Sequence, residues 1–301
     1  MRIIYRSYGG ENAKERPPYY SKQLALQSML TAATAAQAEI VFINDGPVAA
    51  PLLDLMQASG DVVTLDSVGM RGSYLAALRY PRQHGWQDDL VWFSEDDYLY
   101  RPEAFVALEA AAARSSADYF ALYGGTAHFP VHSGLPEDGW LPDGWDAGVP
   151  LEVDGQRWER IVSTTSSFGA RTRALRQDMS IFLQGLLPHR HSLRDHDTCV
   201  VYQGYAPHRW SRLAQDLRGH TPGPAIARLT QAGLVPFKAA LNLRAHRRPP
   251  NRRVLLAAAP NLATHMESEW MAPGRDWAAL AAATVQAWSD TGGRPAGTDP
   301  S

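Results

Sequence analysis

The sequence predicts an α/β fold, with a mostly parallel central sheet flanked by helices and a second half of different character built onto it. Three observations predict this. Over residues 1–123, short β-branched and aromatic runs alternate with Ala- and Leu-rich helical stretches. Such alternation joins parallel strands through helical crossovers that cover both faces of a sheet. The chain of 301 residues is 45% hydrophobic and 20% charged, which supplies a sizeable core and rules out wholesale disorder. Polar clusters also end three of the expected strands: Arg6-Ser7-Tyr8, Asn44-Asp45 and Glu95-Asp96-Asp97. Parallel sheets bind ligands at the carboxyl ends of their strands.

Arg2 to Tyr8 reads as a strand that ends at Gly9-Gly10. Glu11 to Pro18 is polar and carries two prolines. Tyr20 to Gln37 places Leu24, Leu26, Met29, Leu30 and Ala33 on a helix, with Ser21 as an N-cap. Glu39 to Ile43 is a buried strand, stopped by Asn44-Asp45-Gly46-Pro47. A helix over Pro51 to Ser59 and a third strand over Asp61 to Leu65 follow. Gly72 to Tyr80 is a helix opened by Gly72-Ser73. Leu90 to Phe93 is a fourth strand that runs straight into Ser94-Glu95-Asp96-Asp97. An Ala-rich helix spans Glu103 to Arg114, and Tyr119 to Tyr123 is a fifth strand.

The rest reads differently. Gly124 to Arg157 is Gly- and Pro-rich and, with the adjoining Trp158, carries His128, His132, Trp140 and Trp145. It is too long for a simple connector and reads as a binding insertion. Ile161 to Phe168 reads as a strand, Arg171 to Leu187 as a helix and His189 to Asp197 as a polar loop leading into a short element at Thr198 to Tyr202. Ala225 to Arg244 is helical, with Pro236 as an expected break or kink. Arg247 to Arg253 is a basic loop, and Val254 to Ala257 is apolar. Asn261 to Trp270 contains His265, and Asp276 to Ser289 is a final helix. The segment 290–301 reads as a disordered tail.

Composition excludes several classes. The net charge of −2 argues against a general nucleic-acid binder, which would be basic. A single cysteine, Cys199, excludes an internal disulfide and a Cys-cluster metal site. The longest apolar runs fall far short of the roughly 20 residues of a membrane helix. The N-terminal MRIIYRSYGG has no apolar stretch of secretory length, so a cytoplasmic protein is expected.

The sharpest chemical feature is Glu95-Asp96-Asp97 behind the apolar strand. Adjacent carboxylates repel one another, and a divalent cation removes that cost. Hard oxygen ligands suit Mg²⁺ or Mn²⁺. An acidic turn that caps the helix beginning near Pro102 would place the same residues there without a metal.

With these motifs in order, residues 1–123 resemble the donor-binding half of a GT-A-fold glycosyltransferase of the family 2 type. Ile3 to Tyr8 match the first strand and its nucleotide-contacting loop, and Phe42 to Gly46 match the strand ending in an acid near the base. Arg71 to Leu78 match the Gly-small-aliphatic helix beside the donor, and Glu95-Asp96-Asp97 match the DxD-type motif. Glu95 stands where the motif has its first Asp, which leaves Asp97 alone, or Glu95 with Asp97, as the ligand set.

The resemblance implies a metal-dependent transfer from a UDP- or GDP-type nucleoside-diphosphate sugar to the hydroxyl of a small-molecule or glycan acceptor, with inversion. It implies Mn²⁺ or Mg²⁺ held by Glu95, Asp97 and a late histidine, for which His265 is the best positional match. Arg6, Tyr8, Asp45, Arg71, Ser73 and Asp96 would contact the donor; a turn role for Asp45 stays open. Asp197, with Asp195 second, would be the general base. Pairing with Arg190 and Arg194 is the other reading of these two acids. Residues 124–289 would then hold the acceptor and the catalytic groups within the same globular unit, with the Trp-rich insertion as a platform for sugar rings. Ser163 to Ser167 reads as a segment lining the site. The basic loop Arg247 to Arg253 could close over the diphosphate, touch an anionic membrane surface or be plainly solvated.

Three other readings compete. A nucleotidyltransferase would show a Gly-rich loop with a basic residue after the first strand, which Ser7 to Glu11 lacks. A dinucleotide-binding oxidoreductase would show GxGxxG there. A nucleotide- or sugar-binding protein on a degenerate transferase scaffold shares every motif and is separated from the enzyme by donor hydrolysis.

Overall fold

The computed structural model describes residues 1–10, 13–87, 89–124, 141–187 and 193–292. The first half alternates as expected: β1 (Arg2–Tyr8), α1 (Lys22–Ala35), β2 (Glu39–Asp45), α2 (Ala50–Ser59), β3 (Asp61–Leu65), α3 (Gly69–Gln83), β4 (Leu90–Glu95), β5 (Tyr98–Tyr100), α4 (Ala104–Arg114) and β6 (Tyr119–Ala121). The second half contributes β7 (Leu151–Val153), β8 (Gln156–Arg160), β9 (Phe168–Arg171), α5 (Thr172–Gly185), α6 (Asp195–Gln203), α7 (Trp210–Leu217), α8 (Ala225–His246), β10 (Leu255–Ala259), β11 (Ala263–His265) and α9 (Trp277–Asp290).

Nine of these strands form one mixed sheet in the order β3-β2-β1-β4-β9-β6-β10-β8-β7, with β11 and β5 paired apart from it. Neighbours among β3, β2, β1 and β4 run parallel. β9 runs antiparallel between β4 and β6, β10 pairs parallel with β6, and β8 and β7 close the far edge as an antiparallel hairpin. The sheet is thus continuous across both halves. Its central strands are covered on both faces, which requires apolar runs rather than alternation. Ile3 and Tyr5 pack into one layer with Leu26, Met29 and Phe105, while Ile4 packs into the other with Tyr74, Leu78 and Phe182.

Local signals explain most boundaries. The Ser21 hydroxyl accepts from the Leu24 amide at 3.0 Å and starts α1. Asp276 does the same for α9 through the Ala279 amide at 2.9 Å. Four expectations need correction. The strand expected over Ile161 to Phe168 does not form: β8 ends at Arg160, β9 begins at Phe168, and the serines and threonines between them form a loop. Their hydroxyls compete for backbone groups, as where Thr165 Oγ1 accepts from the Ser167 amide at 3.2 Å. α8 continues through Pro236, so of the break or kink expected there no break forms; the residue is exposed, and solvent can replace the missing backbone bond. α3 starts three residues earlier and ends three later than the sequence suggests, and it contains Pro81. Trp158, expected on an acceptor platform, is fully buried in the core, edge-on to Phe120 at 6.3 Å. Trp145 of the insertion packs against Val162, Val200 and Tyr205, while His128, His132 and Trp140 lie outside the described residues, as do residues 293–301.

Candidate functional site

A cavity of about 680 Å³ opens at the carboxyl ends of β1, β2 and β4. The sheet itself assembles it. The β1–β4 register sets Arg6 beside Glu95, and the β1–β2 register sets Tyr8 beside Asp45. Ser73 of α3, Asp195 at the start of α6 and His265 of β11 also line it, with Thr165 and Ser166 from the loop before β9. Residues from both halves of the chain therefore meet in one place.

Each acid of the triplet has its own cationic partner. Glu95 pairs with Arg6 Nη2 at 2.5 Å, and its amide donates to Ser167 Oγ at 3.1 Å. Asp96 accepts from the Tyr8 amide at 3.0 Å and pairs with Lys22 Nζ at 3.1 Å. Burial, followed by the charge of Asp97, raises the pKa of Asp96. Asp97 is buried; its Oδ2 lies 2.9 Å from His265 Nε2 and 3.1 Å from Arg16 Nη2. Burial opposes its charge, but His265, Arg16 and Lys14 outweigh burial and hold the carboxyl well below the usual range. Arg16 also donates to the Met266 carbonyl at 2.7 Å, and Lys14 bridges to Glu267 at 2.8 Å. The segment before α1 is thereby latched onto the His265 strand.

Asp97 and His265, a carboxylate oxygen and an imidazole nitrogen, are the residues that would hold a divalent ion here. In this structure they are hydrogen-bonded to each other, Asp97 Oδ2 to His265 Nε2 at 2.9 Å, so a bound ion would replace that hydrogen bond. The His265 ring is oriented by stacking on Tyr98, with centroids 4.9 Å apart, and its Nδ1 lies 3.5 Å from Glu267. Among the described residues no group of three or more His, Cys, Asp or Glu side chains is placed to hold a metal ion. An ion held by Asp97 and His265 would take its other ligands from phosphate oxygens and water, the usual arrangement for Mg²⁺.

Asp195 and Asp197 separate in space. Asp195 faces the cavity. Burial, and then the negative charge of Glu95, push its pKa up to about 7, while Arg6 pulls the other way. Asp197, on the next part of the same turn, instead meets Arg194 at 3.2 Å and His208 at 3.6 Å and does not line the cavity. Asp45 is buried, lines the cavity and also accepts from the Val68 amide at 2.7 Å, so the turn role and the site position coexist. Ser73 sits 3.5 Å from Arg6 Nη1. Arg71 is not among the lining residues. The basic loop does not reach this cavity. Arg248 and Arg253 pair with the fully buried Asp178, and Arg252 and Arg253 also bond Gln177.

Arg16 and Lys14 carry no signal in the sequence. They sit in the polar, Pro-containing stretch before α1, which has no periodicity to mark a side chain's direction. Only the closure of that stretch against β11 gives them a role.

No protein-family model matches the chain, and no curated protein sequence does. Solved structures do. TarS of S. aureus overlays on 66% of this chain with 14% identity and a TM-score of 0.41. The complex of TarS residues 1–349 with UDP-GlcNAc overlays on 67% of it, also with 14% identity and a TM-score of 0.41. A nucleotidyl transferase from Methanothermobacter overlays on 64% of it with 12% identity and a TM-score of 0.35. The matched part spans 33% of the full TarS chain, 54% of the shorter form and 79% of the nucleotidyl transferase. The chain is similar to these proteins over part of its path.

Proposed function

We propose that the chain is a glycosyltransferase that moves a sugar from a nucleoside-diphosphate sugar of UDP or GDP type to an acceptor hydroxyl, with inversion. One observation carries this reading. A carboxylate pushed to a pKa of about 7, Asp195, lines the same strand-end cavity as the acidic triplet and its cations.

The roles follow from placement. Asp195 is the general base: half-buried and near-neutral in affinity for protons, it takes the proton of an acceptor hydroxyl at physiological pH. Asp97 and His265 would hold Mn²⁺ or Mg²⁺, which when bound supplies Lewis-acid stabilisation of the leaving diphosphate. Lys14, which lines the cavity beside them, adds positive charge on the same side. Glu95 and Arg6 set the proton affinity of Asp195 from opposite directions. Asp45 and Ser73 border the donor end, and Tyr8, half exposed, offers a ring face there. Asp197 secures the first turn of α6 through Arg194 and His208 rather than taking the proton itself.

The test is a thermal-shift screen of nucleoside diphosphates and their sugars with and without Mn²⁺, followed by donor hydrolysis. A Mn²⁺-dependent shift with one base is expected. Asp195→Asn should keep that shift and lose turnover. Absence of a shift with every nucleotide refutes the donor; full turnover in Asp195→Asn refutes the base.

A further inference from the structure

The second half carries a surface that sugar transfer does not use. Helices α7 and α8 pack as a hairpin, tied at its base where Asn242 of α8 accepts from the His208 amide at 3.1 Å. Its other parts turn apolar side chains outward. Ile226 is 80% exposed, Leu229 73% and Leu217 66%, with Trp210 half exposed. Residues 222–230 are exposed throughout, so the first turns of α8 stand clear of the body. Large apolar side chains gathered in one exposed element mark a docking surface.

Charge identifies the partner. Residues 209–253 hold nine arginines and one lysine against a single acid, Asp216, in a chain whose net charge is −2. Asp216 is itself buried and held by Lys238 at 3.2 Å. Arg244, Arg248, Arg252 and Arg253 are turned toward α5, where they bond Ser180, Asp178 and Gln177. Arg218, next to Leu217 at the end of α7, and Arg228, between Ile226 and Leu229 in the first turn of α8, remain exposed among the apolar side chains, while the exposed Arg212 lies 3.7 Å from Asp216. A second copy of the chain docking on this face would oppose positive to positive. An anionic bilayer complements both features: aliphatic tips enter the headgroup boundary while guanidinium groups meet lipid phosphates. No helix among the described residues is long and apolar enough to cross a membrane, so the contact lies along the surface.

We propose that the α7–α8 hairpin docks the protein on an anionic membrane surface, with Ile226, Leu229 and Leu217 as the inserted side chains and Arg218 and Arg228 as lipid-phosphate partners. The test is sedimentation of the full chain with vesicles of phosphatidylcholine alone or with about 30 mol % phosphatidylglycerol. Sedimentation with the anionic vesicles only, and its loss in about 0.5 M NaCl, is expected. The double variant Ile226→Asp/Leu229→Asp should weaken binding roughly tenfold or more while keeping the wild-type melting curve. Should that variant melt early, Arg218→Gln/Arg228→Gln, which changes exposed side chains only, replaces it with the same expectation. Equal binding to neutral vesicles, or wild-type binding by a folded variant, overturns the proposal. So does a wild-type dimer that ignores vesicles and is split by the aspartate pair.

Discussion

Asp195 offers the most searching test, because its position makes two signed predictions from one residue. Burial and the charge of Glu95 favour its neutral form, and Arg6 opposes them, with a net pKa of about 7. As a base it acts only when ionised, so donor turnover should rise with pH along a limb centred near 7. At pH 6 the rate should be about a tenth of its plateau. Glu95→Gln removes the repulsion and leaves Arg6 unopposed, so the limb should move to lower pH by about one unit. Arg6→Gln leaves Glu95 unopposed, so the limb should move upward. Stability gives the second sign. A carboxyl whose folded pKa is raised stabilises the fold at pH values below its unfolded pKa, and that contribution is lost as pH rises through 7. A displacement of about three units is worth up to about 4 kcal/mol at 1.36 kcal/mol per unit, and partial exposure reduces this to about 1–2 kcal/mol. Asp195→Asn, which cannot ionise, should therefore abolish turnover yet be more stable than wild type at pH 8, with the difference vanishing near pH 4. Urea titrations at both pH values and a pH–rate profile read these outcomes. An acid limb that stays in place in both Glu95→Gln and Arg6→Gln, or an Asp195→Asn variant less stable at pH 8, would refute the electrostatic argument.

Asp97→Ala should abolish the metal-dependent part of nucleoside-diphosphate binding in calorimetry, and binding insensitive to EDTA in the wild type would remove the metal role from Asp97 and His265. Asp178→Ala should cost about 3–5 kcal/mol in urea unfolding, because it leaves Arg248 without its carboxylate, Arg253 with Asp118 alone and the buried Tyr119 hydroxyl without its acceptor. Trp158→Ala should cost about 3–5 kcal/mol through the cavity it opens. A near-neutral Trp158→Ala would contradict its place in the core.

What the sequence disclosed follows from where the physics is local. A strand's carboxyl end carries its polar residues next to its apolar run, so Arg6, Asp45 and Glu95 to Asp97 stand out along the chain and meet in the cavity. Ser21 and Asp276 declare their helices because a cap acts within three residues. The choice between Asp195 and Asp197 is not local. Both stand in the first turn of α6, and only the packing of that turn separates them, Asp197 against His208 and Asp195 against the cavity. Arg247 to Arg253 resembles a surface charge run because its counter-charge, Asp178, lies about seventy residues earlier inside α5.

The acidic triplet shows how far such non-local pairing changes a motif's meaning. Along the chain, three adjacent carboxylates are one repulsive cluster waiting for one cation. In the fold they point to three different partners: Glu95 to Arg6 on β1, Asp96 to Lys22 on α1, and Asp97 to Arg16 and His265. The repulsion is therefore already offset, and an ion is not needed to hold the turn together. That separates folding from metal binding. Removal of divalent ions should leave the melting temperature of the nucleotide-free protein within about 1–2 °C of its value with Mn²⁺, because a two-ligand site on an already neutralised turn adds little to stability by mass action. With nucleoside diphosphate present, whose phosphates complete the shell, the same ion should raise it by several degrees. Differential scanning calorimetry in the four combinations of metal and nucleotide measures this. A large stabilisation by Mn²⁺ alone would show a preformed protein cage and contradict the two-ligand site.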